Sequence, residues 1–442
     1  GKFLLPVYLK QQVFTMPQLL SQRYDRSVST LLAVLMLIMY VMVILPTILW
    51  LGAKAVNNLT GLELIPAMIL LGGLSLAYSL YGGLKAVALT DVIQVVLLIF
   101  GGLFVTYKGL DLLSEGNGLF EGFMILQSEF PEKFDAILSY APKEVDPEAY
   151  ANYIKLPGIW VLIGGMWIAH FYYWGTNQYI TQRALGGKSL DEAQNGLMFA
   201  GFLKIFMPIV VVLPGLIAVA LEANGTINLA GDRSNAYPSM LNLLPEGIKG
   251  LTFAALVAAI VSSLASLSNS VSTIFTMDIY RKDQDINDVS LVKIGRIAGF
   301  VGLVTSIIVA PIFLGSLDSA FQYVQEYMGL FSPVILFVFL SAIFLKNSTT
   351  RSVLEGSFVA LALGVILKLY VANNPGSAIE PFMHQMAISF VAAFLVNYFR
   401  SPQTTNEKVF NLTRADFNTS KLFNIGSITI LVILGGIYSF YW

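Results

Sequence analysis

The sequence predicts an all-α polytopic membrane protein. Of its 442 residues, 56% are hydrophobic and only 12% are charged, and the mean hydropathy is +0.71. A soluble protein carries about a quarter charged residues, because its surface faces water. The apolar residues also form runs of about 20, the length that a helix needs to cross about 30 Å of hydrocarbon. The repeated alternation of apolar and polar residues that is typical of a membrane barrel is not seen in the sequence.

About eleven such runs follow one another along the chain, with Gly82-Gly83 as a short turn between the second and the third. They lie at about 27–54, 62–81, 85–113, 158–182, 190–221, 248–280, 290–314, 317–345, 352–372, 379–399 and 422–441. Prolines within the runs predict kinked or interrupted helices, which form ion and substrate sites in many transporters. These prolines are Pro46, Pro66, Pro208, Pro214, Pro311 and Pro333.

Basic residues indicate the orientation in a plasma (cell inner) membrane. Lys and Arg are concentrated in alternate short connections, including those that carry Arg183, Arg281 and Lys346, and the connections between them hold few. The positive-inside rule therefore places residue 1 in the cytoplasm and residue 442 outside. The acidic segment at about 114–157 is then extracellular and is interpreted as a solvated hydrophilic loop.

Several functional classes are disfavoured. A net charge of −1 provides no basic field for nucleic acid. The absence of cysteine removes disulfides, thiolate catalysis and cysteine metal sites, and two histidines are too few for a histidine-built metal centre. No glycine-rich phosphate loop follows a strand, so an ATP-driven pump is unsupported. The apolar runs lack paired carboxylates and a histidine-based nucleophile, so we expect no enzyme.

Four helices bring polar groups to the middle of the membrane. Counted from the predicted helix ends, Lys204 and Ser262-Ser263 lie roughly 21 Å deep, His170 roughly 18 Å and Gln325 roughly 12 Å. Buried polar groups are costly in lipid and usually functional. Lys204 lies too deep for its side chain to reach the headgroups, so it needs a carboxylate, a substrate oxygen or a water-filled cavity. We expect these groups to enclose one wet cavity.

The run at 248–280 carries a polar stripe, in which Ser262, Ser266, Asn269 and Thr273 are three or four residues apart. Hydroxyl and carbonyl oxygens are the ligands that alkali cations take, so Ser262-Ser263 is a candidate cation site. The alternative is that small polar residues let helices pack closely, and it is stronger for positions 266–272. Asp91 lies roughly 9 Å from the cytoplasmic helix end, where it suits a cation exit path or complements the helix dipole.

Aromatic residues surround His170. Such rings can cover the C–H face of a sugar while neighbouring amides and hydroxyls bind its OH groups. His170 on its own would more simply be a hydrogen-bonded core residue. The cluster consists of Trp167, Phe171, Tyr172, Tyr173 and Trp174, followed by Gly175-Thr176-Asn177-Gln178.

Seven motifs, spread in order along the chain, carry a resemblance to a known family. They are Tyr81-Gly82-Gly83-Leu84-Lys85-Ala86, Thr90-Asp91-Val92-Ile93-Gln94, Tyr172-Tyr173-Trp174-Gly175-Thr176-Asn177-Gln178-Tyr179, Gln182-Arg183, Ser262-Ser263-Leu264-Ala265-Ser266, Phe275-Thr276-Met277-Asp278-Ile279-Tyr280 and Phe321-Gln322-Tyr323-Val324-Gln325-Glu326-Tyr327. The chain resembles the sodium:solute symporter family, most closely its sugar branch, the bacterial sodium/galactose symporters.

The resemblance implies a leucine-transporter-like core of two inverted five-helix repeats. Residues 1–113 would be the end of one helix and the last three helices of the first repeat, and 114–157 an extracellular loop. Residues 158–345 would be the second repeat, and 346–442 three accessory helices. The earlier helices of the first repeat would precede Gly1, so we expect the sequence to be a fragment.

The resemblance also implies roles for single residues. The backbone carbonyl of Ala259 and the hydroxyls of Ser262 and Ser263 would bind sodium, and Asp91 would lie on the sodium pathway. The expected substrate-binding residues are His170, Tyr173 as an inner gate, Trp174 from the aromatic cluster, Lys204, Phe321 as an outer gate, and Gln325. His170 departs from the galactose symporters, which have Asn at this position; an imidazole keeps a donor and an acceptor but is bulkier.

The predicted function is sodium-coupled import of a neutral sugar of the galactose or glucose type. The predicted partners are a small sugar, sodium as the coupling ion, and the lipid bilayer. One alternative is an anionic substrate such as sialic acid, which would pair with Lys204. The other is a non-transporting membrane sensor that has the same helical bundle.

Overall fold

The described part of the chain is helical and contains no strand. The computed structural model describes residues 1–281, 286–315, 320–404 and 408–441, and the side chains of 80–90, 155, 321 and 322 lie outside that description. The α-helices are α1 (Leu5–Lys10), α2 (Met16–Arg23), α3 (Arg26–Met39), α4 (Leu45–Thr60), α5 (Leu64–Leu113), α6 (Leu119–Glu129), α7 (Pro147–Lys155), α8 (Ile159–Val161), α9 (Trp167–Gly175), α10 (Gln178–Leu185), α11 (Leu190–Ile205), α12 (Leu213–Ala223), α13 (Ala236–Asn242), α14 (Glu246–Ile274), α15 (Asp288–Leu314), α16 (Ala320–Phe344), α17 (Thr350–Asn373), α18 (Phe382–Arg400) and α19 (Lys421–Phe440).

Helices of membrane-spanning length recur along the chain. Within the described residues, nine helical stretches are long and apolar enough to cross a membrane, and the bent pair α11–α12 makes a tenth. The apolar helix Leu64–Ser79 is shorter and adds one more segment. These segments fall on the eleven predicted runs. The longest, at 35 residues, are Arg26–Thr60 and Glu246–Tyr280.

The helical assignment of α5 runs from Leu64 to Leu113, and the predicted turn at Gly82-Gly83 falls within 80–90, whose side chains lie outside the described residues. A straight helix of 50 residues would be about 75 Å long, far more than a bilayer is thick. However, Leu110 near its end packs in the same apolar cluster as Leu59, which precedes its start. The two ends therefore lie on one side of the protein, and α5 doubles back on itself.

The predicted run at 190–221 is bent rather than straight. Its two helices meet at 43°, and a π-helical turn, Pro208–Val212, joins them. Proline has no N–H and its ring clashes with the carbonyl four residues earlier, so an α-helix cannot continue unchanged through Pro208. A second π-helical turn, Tyr40–Ile44, lies just before Pro46. The sequence therefore predicted these two interruptions.

The acidic segment at 114–157 contains more structure than a solvated loop. It forms α6, a 3-10 turn and α7, and Gly122 of α6 packs directly against the backbone carbonyl of Leu110. The N–H of Ala136 donates to the carbonyl of Tyr441, beyond the end of α19, at 2.6 Å. Apolar residues of the segment therefore pack against the bundle, whereas its acidic residues, such as Glu115, Glu121 and Glu144, are exposed.

The chain start is attached to the connection between α18 and α19. The ammonium of Lys10 donates to the Asp416 carboxylate and to the Asn411 carbonyl, each at 2.9 Å. The Thr413 backbone N–H and the Lys10 ammonium lower the pKa of Asp416 to about 2. Both attached segments lie on the side that the basic residues predict to be cytoplasmic.

Glycine at position 165 allows a close approach between two helices. A Cβ atom there would lie 2.2 Å from the backbone carbonyl oxygen of Met383 in α18. We therefore expect Gly165→Ala to lower the free energy of unfolding by about 1–3 kcal/mol, the usual cost of overpacking. Gly196→Ala is the matched control, because a Cβ at Gly196 meets nothing within 4 Å. Thermal unfolding in detergent measures both, and an unchanged midpoint for Gly165→Ala would contradict the prediction.

Candidate functional site

The predicted run at 158–182 is not one continuous helix, because it breaks at Thr176-Asn177 between α9 and α10. Asn177 is fully buried, and its side-chain oxygen accepts from the Tyr40 hydroxyl at 2.6 Å and from the Tyr179 N–H at 3.2 Å. Asn177 therefore caps α10, satisfying a backbone donor that the helix start leaves free. A helix break inside an apolar run is tolerated because other protein groups form hydrogen bonds to the polar groups that it exposes.

The side chain of Gln178 fixes the position of α10. It is 2% exposed, accepts from the N–H of Met16 at 2.7 Å and donates to the carbonyl of Phe14 at 3.2 Å. Helix α10 is therefore held against the start of α2 by buried hydrogen bonds. This attachment sets the direction in which Arg183, near the end of α10, projects.

Arg183 joins three helices through one guanidinium. One nitrogen of this group donates to the Asp91 carboxylate of α5 at 3.0 Å and to the Ser266 hydroxyl of α14 at 2.9 Å. The Ser262 hydroxyl of α14 donates to the other oxygen of Asp91. The Arg183 and Asp91 side chains are 39% and 24% exposed, so their ion pair is only partly shielded from solvent.

This arrangement orients the Ser262 oxygen. Ser262 is 2% exposed and its proton is directed at a carboxylate, so its lone pairs remain available to a cation. A hydroxyl that donates to a carboxylate is also a more electron-rich ligand, as in the outer shells of metal sites. Ala259 and Ser263 lie half-buried within one turn on the same helix. The structure thus brings Asp91 directly to the predicted cation ligands.

The serines of α14 divide into two faces. Ser262 and Ser266 face the Asp91–Arg183 pair, and Asn269 accepts from the Ser79 hydroxyl of α5 at 2.6 Å. Ser268 and Ser272 lie against Gly299 of α15, where a Cβ would come within 2.9 Å and 2.6 Å of their hydroxyl oxygens. The small-residue packing considered for 266–272 therefore applies to the face of α14 that contacts α15. The hydroxyls that contact the Asp91–Arg183 pair lie on the other face.

A second cluster forms where α9 meets α11. The Lys204 ammonium lies 4.0 Å from the centre of the Trp174 ring, and His170 lies one turn before Trp174, within electrostatic range of Lys204. Lys204 occupies the last turn of α11, just before the bend at Pro208. The ammonium of Lys204 thus contacts an aromatic face, which attracts a cation through its quadrupole. His170, Trp174 and Lys204 are all exposed, so the described residues do not enclose them in the predicted cavity.

Tyr173 lies between the two clusters. Its ring packs edge-on against Trp174, with centres 5.2 Å apart, and its phenol is within electrostatic range of Tyr179 and Arg183. A side chain in this position contacts the cluster of Trp174 and Lys204 on one side and approaches the Asp91–Arg183 pair on the other. A movement of the Tyr173 side chain would therefore affect both the Trp174–Lys204 cluster and the Asp91–Arg183 ion pair.

The structure does not join Gln325 to Lys204. Gln325 is half-buried on α16 and makes no hydrogen bond within the described part of the chain. Helix α16 packs against α9, α17 and α18, whereas α11 packs against α10 and α19. The expectation that both residues face one cavity is therefore not met by a contact between them. Phe321 lies outside the described side chains.

Sequence reasoning did not select Arg183. The residue appeared only within the Gln182-Arg183 motif and as one of the basic residues in a cytoplasmic connection. The available signal was its position in a helix that starts with the polar residues Thr176-Asn177-Gln178. That signal required recognising a helix start inside an apolar run.

Comparisons with known proteins identify the family. Residues 1–364 match the profile of the sodium:solute symporter family. The chain is 39% identical over 460 residues to a sodium/glucose cotransporter of Vibrio parahaemolyticus, covering 100% of this chain and 82% of that protein. It is 30% identical to the uncharacterized symporter YidK of Escherichia coli (98% and 75% covered). It is 31% identical to the sodium/myo-inositol cotransporter 2 of Mus musculus, of which it spans 56%.

A solved structure confirms the predicted fold. It shows a substrate-bound, outward-open state of a Na+-coupled sialic acid symporter, with a TM-score of 0.74 and 20% identity, covering 91% of this chain and 81% of that one. The predicted family and the predicted coupling ion are confirmed as well. This chain belongs to the sodium:solute symporter family, and it is a multi-pass protein of the plasma membrane whose coupling ion is sodium.

Proposed function

We propose that this chain imports a neutral sugar of the galactose or glucose type together with sodium. The observation that carries the proposal is the bond between the Asp91 carboxylate and the Ser262 hydroxyl, two groups from separate helices. The name of the Vibrio relative, a sodium/glucose cotransporter, supports the choice of sugar. On this proposal the chain is a transporter and not an enzyme.

Sodium would bind at the turn of α14 that holds Ala259, Ser262 and Ser263. Hard oxygen ligands suit an alkali cation, and the Ser262 hydroxyl has its proton directed away from the site. Asp91 would attract the ion and orient one of its ligands. Arg183 would balance the charge of Asp91, which keeps the site from holding sodium too tightly to release it.

The sugar would bind among His170, Tyr173, Trp174 and Lys204. The exposed ring of Trp174 and the half-buried ring of Tyr173 offer the aromatic surface that would cover a sugar's C–H face. The Lys204 ammonium supplies hydrogen-bond donors and His170 a donor and an acceptor. The resemblance adds Gln325 as a further contact and Phe321 as an outer gate.

The electrochemical gradient of sodium would drive uptake. Each positive charge gains about 2.3 kcal/mol per 100 mV of membrane potential, in addition to the concentration term. Alternating access would move the repeat at 158–345 relative to the helices at 27–113. Arg183, on the second repeat, bonds Asp91 on the first, so breaking and remaking this ion pair would accompany the movement.

A carboxylate substrate is the main alternative, because Lys204 would pair with it directly. The solved structure of a sialic acid symporter raises this possibility, but at 20% identity it bears on the fold alone. A neutral sugar is favoured because the relative of 39% identity over the whole chain is a sodium/glucose cotransporter. A membrane sensor that does not transport would bind solute without moving it.

Competition in proteoliposomes separates these functions. Under an inward sodium gradient, we expect labelled galactose or glucose to accumulate and unlabelled neutral hexoses to suppress that accumulation. On the neutral-sugar proposal, sialic acid at equal concentration should have little effect. Suppression by sialic acid alone would establish the anionic alternative. Binding of solute with no sodium-driven accumulation would establish the sensor.

A further inference from the structure

A separate cavity lies among α16, α17 and α18, away from the proposed transport path. Its volume is about 290 Å³, at the lower end of the range for small-molecule pockets. Glu326 of α16 lines it, and the preceding Gln325 projects about 100° away around the helix. The predicted orientation places this cavity near the extracellular surface, because it lies toward the end of α17 and the start of α18.

The cavity floor carries an unpartnered hydroxyl. Ser389 of α18 is 3% exposed and lines the cavity, and its oxygen has no hydrogen-bond partner among the residues that the structure describes. A buried hydroxyl without a partner destabilises the protein, and a ligand in the cavity would supply the missing hydrogen bond. Gly329 and Gly364 also line the cavity, and a Cβ at Gly364 would lie only 2.8 Å from Leu330 and 3.5 Å from the Ser389 oxygen.

Other polar groups surround the opening. One oxygen of the Glu380 carboxylate accepts from the Gly376 N–H, and the Gln385 amide donates to the Glu380 carbonyl at 3.0 Å. These bonds fix both side chains and leave the second carboxylate oxygen and the amide oxygen available within the described contacts. Two hydrogen-bond acceptors held in fixed positions suit a molecule with several hydroxyl groups.

The charges at the cavity disfavour an anionic ligand. Lys368 lies 3.6 Å from the Glu326 carboxylate and 3.8 Å from the centre of the Tyr327 ring, so its charge is already engaged. Glu380 then gives the lining a net negative charge. Leu330 and Phe382 supply an apolar wall beside the polar groups, the combination that receives the C–H face of a sugar.

An aromatic cluster stands next to the same cavity. Tyr140 is 62% exposed and packs edge-on against Tyr153 and Tyr150, with ring centres 5.3 Å and 6.5 Å apart. The Tyr150 hydroxyl lies 3.8 Å from the Cβ position of Gly376, in the connection that also carries Glu380. Exposed rings beside a polar cavity extend the surface available to a sugar.

We propose that this cavity is a second binding site, sodium-independent, for a neutral polyhydroxylated molecule of monosaccharide size. The choice of a sugar rests on the function proposed above, but the site itself rests on Ser389, Gln385, Glu380 and the cavity that they line. A disaccharide exceeds the space available. Bound here, a sugar would hold α16, α17 and α18 together without contacting the transport residues.

Equilibrium binding of labelled galactose to the purified protein in lipid nanodiscs tests the inference. In saturating sodium we expect two sugars per chain, and in sodium-free buffer one. Ser389→Ala should weaken the sodium-independent site by about tenfold through the loss of one hydrogen bond. Ser341→Ala is the matched control, because Ser341 is also fully buried, has no hydrogen-bond partner within the described part of the chain and does not line this cavity.

Each outcome decides the matter. Sodium-independent binding that falls in Ser389→Ala and stays unchanged in Ser341→Ala supports the site. No binding without sodium, or equal affinities in both variants, overturns it. Galacturonate binding as tightly as galactose would overturn the assignment to a neutral ligand. The sodium-dependent site reports separately on the proposed function, since its failure would leave the sodium-free measurement unaffected.

Discussion

Replacing Ser262 and Ser263 together with alanine is expected to abolish sodium-driven sugar uptake. Each hydroxyl bound to a charged group contributes about 1.5 kcal/mol, so losing two weakens sodium binding by about 100-fold. The substitution also frees the Asp91 oxygen that now accepts from Ser262. Uptake into proteoliposomes under a fixed sodium gradient gives the rate, and its dependence on sodium concentration gives the shift in affinity.

The opposite face of the same helix provides the control. Ser268 and Ser272 lie against Gly299 of α15, and neither contacts Asp91 or Arg183 within the described residues. Their double replacement by alanine should leave the sodium dependence of uptake unchanged. Full uptake by the Ser262/Ser263 variant would refute the cation assignment. Equal loss in both variants would instead indicate damage to the helix pair α14–α15.

Local sequence predicted the helices and the polar stripe of α14 because both depend on neighbours within a few residues. Apolar runs fix where a helix can lie in lipid, and steps of three or four place Ser262, Ser266 and Asn269 on one face. The contacts of these residues with Asp91, Arg183 and Ser79 then follow from that face. Periodicity therefore predicts which hydroxyls of the helix contact charged or polar partners.

The break before α10 could not be predicted in the same way. Residues 158–182 read as one apolar run, and the polar residues Asn177 and Gln178 are tolerated there because Tyr40 and Met16 bond them. These partners lie more than 130 residues away in sequence. Hydropathy is averaged over a window of residues, so a short polar interruption of this kind does not change the prediction of a continuous helix. The same averaging assigned Arg183 to a cytoplasmic connection rather than to an ion pair.

Depth alone also could not show which polar groups meet. Counting residues from a helix end gives one coordinate, and it leaves open the direction of the side chain and the identity of the neighbouring helices. Lys204 and Trp174 were both placed deep and do touch. Gln325 was placed deep as well, and although its helix α16 packs against α9, no contact joins Gln325 to Lys204 within the described residues. Convergence in depth is necessary for a shared site and is not sufficient.

Removing the Arg183 guanidinium is expected to tighten sodium binding and slow transport. Arg183 now neutralises Asp91 beside the proposed sodium ligands. Without it, the free carboxylate attracts the cation more strongly; at this partial exposure the gain is about 1.4 kcal/mol, or about tenfold in affinity. Because a tightly held ion leaves slowly, Arg183→Ala should lower the maximal uptake rate while equilibrium sodium binding improves.

The carboxylate variant should show the opposite pattern. Asp91→Asn removes the attraction and leaves Arg183 as an unbalanced cation near the site, so sodium affinity should fall by about tenfold or more. In the double variant both charges are absent, and its sodium affinity should lie between those of the single variants, with the difference measuring their coupling. Arg183→Lys keeps the charge but loses the planar fork that reaches Asp91 and Ser266 together. The rate of sodium release can be measured by isotope exchange. If Arg183→Ala released sodium as fast as the unmodified protein, this account would be contradicted. Arg183 would then only support the position of α10.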